Sequence, residues 1–459
     1  MRVEKDSLGE LKVPKNAYYG VQTARAVENF PISGWRAHPA FIDGTVLIKK
    51  AAATVHGQLG LIPKKHTQLI VKVCDEILSG QYRDEFVVDA FQAGAGTSHH
   101  MNVNEVIANR ANEMLNKPRG SYDPIHPNDH VNMAQSTNDV IPTAIRLSSL
   151  LLKKDLLAAV QGLAKSFQKK AKEWNKIVKS GRTHLQDATP IRLGQEVGAY
   201  ASCLQSHLKN IELAYKQLME LGIGGTAVGT GVNSHPKYRK MMAVTLGKYL
   251  KMPLKPAKDF FEAMQSMSPV VGLSDALKNM ALDLIRIAND LRLLSSGPRT
   301  GLGEIVLPPV QPGSSIMPGK VNPVLAEMTD QSCFFTLGLN TAISYASQAG
   351  QLELNVMMPM IAYSLCWQIT ILTNTMNALA KKCVDGITAD AERCRWYGEN
   401  SVSIATVLNP LLGYAKTAEI VKKAVATGKP LRELLAETDL TAKQIDQVFR
   451  LEDSTKPNI

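Results

Sequence analysis

Residues 277–294 have the sequence LKNMALDLIRIANDLRLL, and their apolar side chains repeat with the period of a helix. Steps of 3, 4, 3, 4 and 3 residues separate Leu277, Met280, Leu284, Ile287, Leu291 and Leu294. This spacing places all six side chains on one helix face, as in the apolar seam between packed helices. The stretch therefore predicts one helix of a helical bundle.

Four further segments carry the same spacing over long distances, at residues 156–178, 193–218, 324–339 and 363–379. A helix of 25 residues is about 40 Å long, so several of them side by side would form a long bundle. Apolar seams on more than one face indicate that the bundle continues into other subunits. We interpret these helices as scaffold, and we expect the chemistry to lie in the loops between them.

Composition describes an ordinary globular protein of 459 residues, with 45% hydrophobic and 20% charged residues. The formal net charge is +11, but the basic residues are scattered and aromatic residues make up only 6%. Nucleic-acid binding surfaces need clustered basic residues, so we expect no nucleic-acid partner. A general positive field would instead favour a small dianionic substrate.

The cysteines and the amino-terminal residues indicate in which cellular compartment the protein is expected. The six cysteines are far apart, without a C-x-x-C pair or a cysteine/histidine spacing that suits zinc, so free thiols and no metal site are expected. Four of the first six residues are charged, unlike the apolar run of a signal peptide. No apolar stretch approaches the roughly 20 residues of a membrane span. These features predict a cytoplasmic protein without a membrane partner.

The helical pattern predicts three domains, at residues 1–137, 138–391 and 392–459. Residues 1–40 contain several prolines and glycines and are predicted to be extended or irregular. After residue 391 the pattern shortens, and smaller helices are expected at 415–426, 430–437 and 442–451. The long helices all belong to the middle domain.

Between two long helical segments lies Gly313-Ser314-Ser315-Ile316-Met317-Pro318-Gly319-Lys320-Val321-Asn322-Pro323. Its glycines and prolines make it a poor helix and a poor strand. It is not a phosphate-binding loop, because Val321 occupies the position after Lys320 where that motif needs a hydroxyl. Loops that display polar side chains on a helical scaffold are often functional, although a plain connecting loop remains the alternative.

Three other loops between helices carry hydrogen-bonding side chains: Thr97, then Ser136, Thr137 and Asn138, then Thr183 and His184. Together with the 313–323 loop they offer hydroxyls, amides and one certain cation, but no pair of carboxylates and no cluster of metal ligands. Such a set suits a ligand that bears carboxylates. Each side chain alone has a structural explanation, since Ser, Thr and Asn also cap helices.

The 313–323 loop resembles the G-S-S-x-M-P-x-K-x-N-P signature of the fumarase/aspartase superfamily. Residues 94–105, 135–139, 181–187 and 225–231 resemble other segments of that superfamily in the same order and spacing. The resemblance implies a mainly α, three-domain lyase that forms a homotetramer, with a shared core of about twenty helices. It also implies active sites built from three subunits, a small dicarboxylate substrate and no organic cofactor or metal.

Within the superfamily, several positions are more similar to the ammonia-lyases than to the class II fumarases. They are Ala95, Thr137, Val324 and residues 19–23, 28–32 and 350–357. Residues 126–129 resemble the fumarases instead. The resemblance therefore implies reversible deamination of L-aspartate to fumarate and ammonia, through an aci-carboxylate intermediate. Hydration of fumarate is the alternative.

The resemblance also implies roles for the polar residues. Ser314 is the general base, and Thr97, Ser136, Thr137 and Ser315 surround the β-carboxylate. The α-carboxylate is held by Thr183, Lys320 and Asn322; the amino group is contacted by Thr137 and Asn138; His184 forms an orienting pair with Glu327. A free serine is almost un-ionised at neutral pH, so this assignment requires backbone N–H groups or cations beside Ser314.

Two positions depart from the superfamily pattern. His100 stands where an asparagine is usual, so it could alter the wall of the substrate pocket. Leu325-Ala326 replaces a pair that usually ends in proline, which could shift the start of the following helix.

Overall fold

The computed structural model describes residues 1–457, and their fold is mainly α-helical. The helices are numbered in chain order as α1 (Val21–Asn29), α2 (Pro39–Gln58), α3 (Lys64–Leu78), α4 (Thr97–Glu113), α5 (Thr137–Glu173), α6 (Leu193–Gln217), α7 (Tyr238–Leu250), α8 (Phe260–Gln265), α9 (Ser268–Leu294), α10 (Val324–Gln348), α11 (Met358–Lys382), α12 (Ala391–Asn400), α13 (Asn409–Leu412), α14 (Tyr414–Thr427), α15 (Leu431–Ala436) and α16 (Ala442–Val448). The mainly α fold class predicted from the sequence is confirmed.

The strands are short and form two-stranded sheets: β1 (Arg2–Asp6) with β2 (Gly9–Val13), β3 (Val178–Thr183) with β4 (Gln186–Arg192), β5 (Glu220–Leu221) with β6 (Lys255–Pro256), and β7 (Ile305–Val306) with β8 (Thr388–Ala389). The β5–β6 pair is parallel and the others are antiparallel. Each sheet contains only two strands, so the helices make up most of the fold.

The apolar seam that opened the sequence analysis lies in α9. All six of its side chains are buried. Helices α6, α10 and α11 likewise cover the segments in which the sequence predicted them. The spacing of apolar residues therefore located the long helices correctly, because their seams are the surfaces that they bury.

The predicted helix at 156–178 is longer and differently placed. Helix α5 begins at Thr137 and ends at Glu173, and Val178 is the first residue of β3. Val178 is buried, so its step of four residues matched the helical seam although it packs as part of a strand. Residues 181–190, expected to form a loop, belong to the β3–β4 hairpin.

The expectation that residues 1–40 are extended or irregular was wrong for one segment, helix α1. The β1–β2 hairpin and helix α1 both lie within this range. The carboxylate of Glu105, on α4, accepts hydrogen bonds from the backbone N–H groups of Gly20, Gln22 and Thr23. It thereby caps the amino terminus of α1, and a cap from a residue so distant in sequence leaves no local signal.

Contacts divide the chain into two compact units. Unit 1 comprises Met1–Leu157, Lys209–Ala281 and Phe334–Thr373, and unit 2 comprises Ala158–Leu208, Leu282–Cys333 and residues 374–457. Each of the five long helices α5, α6, α9, α10 and α11 contributes residues to both units. The three-domain division at residues 137 and 391 stays a prediction.

Among residues 1–457, none of the helices is both long enough and apolar enough to cross a membrane.

Candidate active site

In the 313–323 loop, two backbone N–H groups donate hydrogen bonds to the hydroxyl of Ser314. The Oγ atom accepts hydrogen bonds from the backbone N–H of Ile316 at 3.2 Å and of Met317 at 2.9 Å. Two N–H dipoles that point at one oxygen stabilise negative charge on it. The loop thus supplies the backbone donors that the assignment of Ser314 as a base requires.

The loop is closed on itself by backbone contacts. The N–H of Gly313 donates to the carbonyl of Lys320 at 3.0 Å, and the side chain of Asn322 donates to the carbonyl of Gly313 at 2.5 Å. A Cβ atom on Gly313 would overlap the Lys320 carbonyl oxygen, and Gly319 has a φ of +78°. Both glycines are therefore required by the shape of the loop.

Ser314 and Lys320 line one cavity of about 410 Å³, together with Gly313, Gly319 and neighbouring residues of the loop. The side chain of Lys320 is exposed and that of Ser314 is half-buried. A hydroxyl and a cation therefore face the same space. Ser315 is exposed on the same loop.

Thr183 and His184 lie at the turn of the β3–β4 hairpin. Thr183 pairs with Gln186, and the two residues between them, His184 and Leu185, have φ angles of +54° and +58°. Non-glycine residues in this left-handed region are strained, and such strain is concentrated at functional sites. The turn displays Thr183 and His184 as exposed side chains.

A buried carboxylate connects this hairpin to the chain that leads into the 313–323 loop. Glu304 is fully buried and lies 2.7 Å from Lys179 and 2.9 Å from Arg182, both on β3. Glu304 directly precedes β7. Because Arg182 is adjacent to Thr183, this ion-pair cluster sets the position of the hairpin relative to that segment.

Glu327 lies in the first turn of α10, which begins directly after Asn322-Pro323. Its backbone N–H donates to the carbonyl of Pro323, so the Leu325-Ala326 pair does not delay the start of the helix. Among the described residues, the hydrogen bonds and ion pairs include none between His184 and Glu327. Their pairing stays a prediction.

The remaining candidate residues lie in unit 1, where Asp139 organises the segment 136–138. One carboxylate oxygen accepts from the N–H of Ser136, and the other accepts from the N–H groups of Gly224 and Thr226. Burial raises the pKa of Asp139 to about 6, although these hydrogen bonds act in the opposite direction. Asn138 donates from its amide to the carbonyl of Ala227.

A chain of hydrogen bonds reaches Thr137 from the buried Lys49, and we call it the Lys49 network. The Lys49 ammonium lies 2.5 Å from His100 Nε2 and 2.9 Å from the side-chain oxygens of Asn132 and Gln135. His100 Nδ1 lies 2.9 Å from Thr137 Oγ1. Burial lowers the pKa of both Lys49 and His100 well below the ordinary values.

The directions of these hydrogen bonds follow from the donors available. When Lys49 is protonated it can only donate, so Nε2 of His100 then accepts from it. The neutral imidazole then carries its proton on Nδ1 and donates it to Thr137 Oγ1. The hydroxyl proton of Thr137 is consequently directed away from His100 and is available to a ligand.

Thr97 is the first residue of α4, after Gly96 with a φ of +95°. It is exposed and lines a cavity of about 550 Å³ that is also bordered by Ser98, Arg25, His126 and Asn128. Thr97 and His100 are one helical turn apart, so α4 connects Thr97 with the Lys49 network. Within unit 1, Thr97 on α4 is therefore connected through the His100–Thr137 hydrogen bond to the segment that carries Ser136, Thr137 and Asn138.

Comparisons with known proteins show the family to which the chain belongs. Residues 9–338 match a family model described as "Lyase", and residues 404–455 match one described as "Fumarase C C-terminus". The chain belongs to this lyase family. The resemblance to the fumarase/aspartase superfamily is confirmed, and the protein is an enzyme of the lyase class.

Two curated relatives of this lyase are named aspartate ammonia-lyase. The one from a Bacillus species is 46% identical, and covers 100% of this chain and 98% of its own length. The one from Escherichia coli (strain K12) is 44% identical, and covers 100% of this chain and 96% of its own length. Both matches extend across all the loops described above.

Solved structures of lyase relatives have the same fold. A Brucella melitensis protein titled "fumarate lyase:delta crystallin", determined bound to cobalt, is 46% identical with a TM-score of 0.96; the match covers 99% of this chain and 100% of the other. A class II fumarase from Schistosoma mansoni is 37% identical with the same TM-score, and the match covers 99% of each chain.

Three charged residues of this lyase shape the candidate site but were not assigned a role from the sequence: Lys49, Asp139 and Glu304. All three are buried. Asp139 directly follows the Gln135–Asn138 motif, and Lys49 lies between the apolar segments 46–48 and 51–53, so both positions carried a signal. Glu304 carried none, because its partners lie more than a hundred residues earlier in the chain.

Proposed function

We propose that this protein deaminates L-aspartate reversibly to fumarate and ammonia. The observation that carries the proposal is the pair of backbone N–H groups on Ser314 Oγ, within a loop that also presents Lys320 to the same cavity. The choice of L-aspartate is supported by full-length identities of 44–46% to proteins named aspartate ammonia-lyase, above the 37% to a class II fumarase.

Substrate binding uses the two groups of polar residues. Lys320, Asn322 and Thr183 bind the α-carboxylate, with Lys320 providing the charge-assisted hydrogen bond. Hydroxyls of Thr97, Ser136, Thr137 and Ser315 donate to the β-carboxylate. Asn138 donates its amide N–H to Ala227, which leaves its side-chain oxygen to accept from the substrate amino group.

The reaction begins when the Ser314 alkoxide removes a proton from Cβ. The electron pair of that C–H bond moves into the β-carboxylate, which becomes an aci-carboxylate with additional negative charge. The surrounding hydroxyls stabilise that charge where it develops. The pair then returns to form the C=C bond while the C–N bond breaks, and ammonia leaves with fumarate as the product.

Loop movement completes the cycle in this proposal. The loop 313–323 hinges at Gly313 and Gly319, closes over the substrate and excludes water. His184 and Glu327 form an orienting pair near the leaving group. The enzyme is a cytoplasmic homotetramer in which three subunits contribute to each site, and cysteines that form no disulfide agree with a reducing compartment.

The ultraviolet absorbance of fumarate tests the reaction directly. Purified enzyme should form fumarate from L-aspartate much faster than from L-malate at equal concentration. The reverse reaction should consume fumarate only when ammonium is supplied. Faster formation of fumarate from L-malate would instead identify the enzyme as a fumarase.

A further inference from the structure

A cluster of three potential metal ligands lies outside the candidate active site. Cys203 and His207 are on α6, and Asp283 is on α9, all within unit 2. Oδ2 of Asp283 lies 3.0 Å from Cys203 Sγ and 2.7 Å from His207 Nε2. The three ligand atoms lie within 4.8 Å of one another, and among the described residues they form the one such group of three.

The local structure explains why these atoms converge. Cys203 and His207 are four residues apart, so both point from the same face of α6. Arg286 Nε donates to Oδ1 of Asp283 at 3.2 Å and thereby directs Oδ2 toward the cysteine and histidine. A partner that orients a ligating carboxylate in this way is typical of metal sites.

We propose that Cys203, His207 and Asp283 bind a divalent transition-metal ion of the zinc type. A thiolate, an imidazole and a carboxylate are ligands that zinc takes, and the sulfur disfavours magnesium and calcium. Tetrahedral coordination separates such ligand atoms by about 3.5 Å, so the present contacts need to open by less than about 1 Å. The thiol proton is released to solvent when the ion binds, and water takes the fourth position.

This site does not depend on the proposed reaction, because none of its residues has a role there. The site was not predicted from the sequence, because a Cys-x-x-x-His pair alone lacks the third ligand, which comes from another helix. The ion would connect α6 with α9 and would stabilise the folded enzyme by mass action.

Cobalt(II) is the probe for the experiment, because a cysteine–cobalt bond gives an intense near-ultraviolet charge-transfer band. Titration of the chelator-treated, full-length enzyme with Co²⁺ should produce this band with one ion per chain. Zn²⁺ should displace the Co²⁺ and abolish the band, whereas Mg²⁺ should not. Bound Zn²⁺ should also slow the alkylation of Cys203 by iodoacetamide.

Matched variants identify the ligands. Cys203→Ser should remove the charge-transfer band, and His207→Ala and Asp283→Asn should each weaken Co²⁺ binding by at least about 10-fold. His235→Ala removes a half-buried histidine elsewhere and should leave binding unchanged. Circular dichroism and activity should show that all four variants fold. Absence of the band in the wild type, or its persistence in Cys203→Ser, would overturn the proposal.

Discussion

Ser314 is the residue on which the proposed chemistry depends. Its Oγ receives two backbone N–H donors that an alanine leaves in place. We expect Ser314→Ala to lower kcat by on the order of 10² to 10⁴, since a general base contributes that much. Initial rates from fumarate absorbance would measure the change, with thermal unfolding as the check on folding.

Ser202→Ala is the matched control for this variant. Ser202 is an exposed serine on α6 and has no proposed role. It should retain the wild-type rate. A near-normal kcat in Ser314→Ala would remove Ser314 from the role of base.

His100 is a positioning residue in this scheme, because it acts on substrate only through Thr137. We expect His100→Leu to lower kcat/KM by about 10-fold, since the Thr137 hydroxyl loses the donor that directs it. Combined with Thr137→Val it should add little further loss. A coupling energy of at least about 0.5 kcal/mol in this double-mutant cycle would measure the connection.

The buried His38 provides the control for that cycle. It caps α2 and is not part of the Lys49 network. The effects of His38→Leu and Thr137→Val on kcat/KM should therefore be additive. Additivity between His100→Leu and Thr137→Val would contradict the positioning role.

At the scale of elements, the β3–β4 hairpin is anchored by a buried charge cluster. Glu304→Gln would leave the buried Lys179 and the half-buried Arg182 without that carboxylate. Removal of one partner from a buried pair should cost about 3 kcal/mol of unfolding free energy. Denaturant unfolding would measure this loss.

The exposed ion pair Arg395–Glu399 is the control for the buried cluster, because it also joins an arginine to a glutamate. Its side chains are 59% and 42% exposed, so Glu399→Gln should cost less than about 1 kcal/mol. If both variants lost equally little stability, the buried cluster would not anchor the hairpin.

The carboxyl end of α4 predicts a dependence of stability on pH. Burial alone would raise the pKa of Glu113, but hydrogen bonds from Tyr18, Arg119 and Arg110 lower it to about 2. A carboxylate whose pKa is lower in the folded state stabilises the fold above its unfolded pKa of about 4.5, and this contribution is lost as the pH falls toward 2.

Glu113→Gln should therefore flatten the acid side of the stability profile. Between pH 5 and pH 3.5, the melting temperature of the wild type should fall more steeply than that of the variant. Glu212→Gln, at an exposed position on α6, should keep the wild-type slope. Parallel slopes for wild type and Glu113→Gln would show that the lowered pKa is absent.

Elements were predictable from sequence where their causes are local. The spacing of apolar residues located α6, α9, α10 and α11, because each buries a continuous seam. Helix α1 and the β3–β4 hairpin were missed because Glu105 and Glu304, far away in sequence, hold them in place. In the candidate site, the polar loop residues were predicted because they belong to recognisable sequence motifs. The role of Lys49 was not predicted, because its burial depends on partners that come together only in the folded chain.

At the scale of the whole molecule, the long helices expose apolar side chains. Leu282 on α9 and Phe334 and Phe335 on α10 are 51%, 57% and 54% exposed. Exposed apolar side chains on such helices fit a subunit interface. They support the proposed tetramer, and mixing of inactive variants tests whether its sites are shared.

We expect hybrids of Ser314→Ala and Asn138→Ala to regain activity if these residues come from different subunits. Equal co-expression should restore up to about a quarter of the wild-type rate. An active site needs both residues to be wild type, and each of them is wild type in about half of the sites. Ser314→Ala with Lys320→Ala should restore none, because both residues lie on one loop. No recovery in the first pair would place Ser314 and Asn138 of each site in one chain.

The backbone contact between Gly313 and Lys320 has a consequence for substrate scope. Because the main chain closes the loop, the spacing between the Cα atoms of Ser314 and Lys320 does not depend on side-chain rotamers. In the proposed reaction, this closure limits the distance between the reacting carbon at Ser314 and the α-carboxylate bound by Lys320. Under the proposed function, a variant that accepts amines with a longer carbon skeleton would need a different backbone closure in this loop. A variant that accepts larger groups beyond Cβ would need changes only around Thr97 and Thr137.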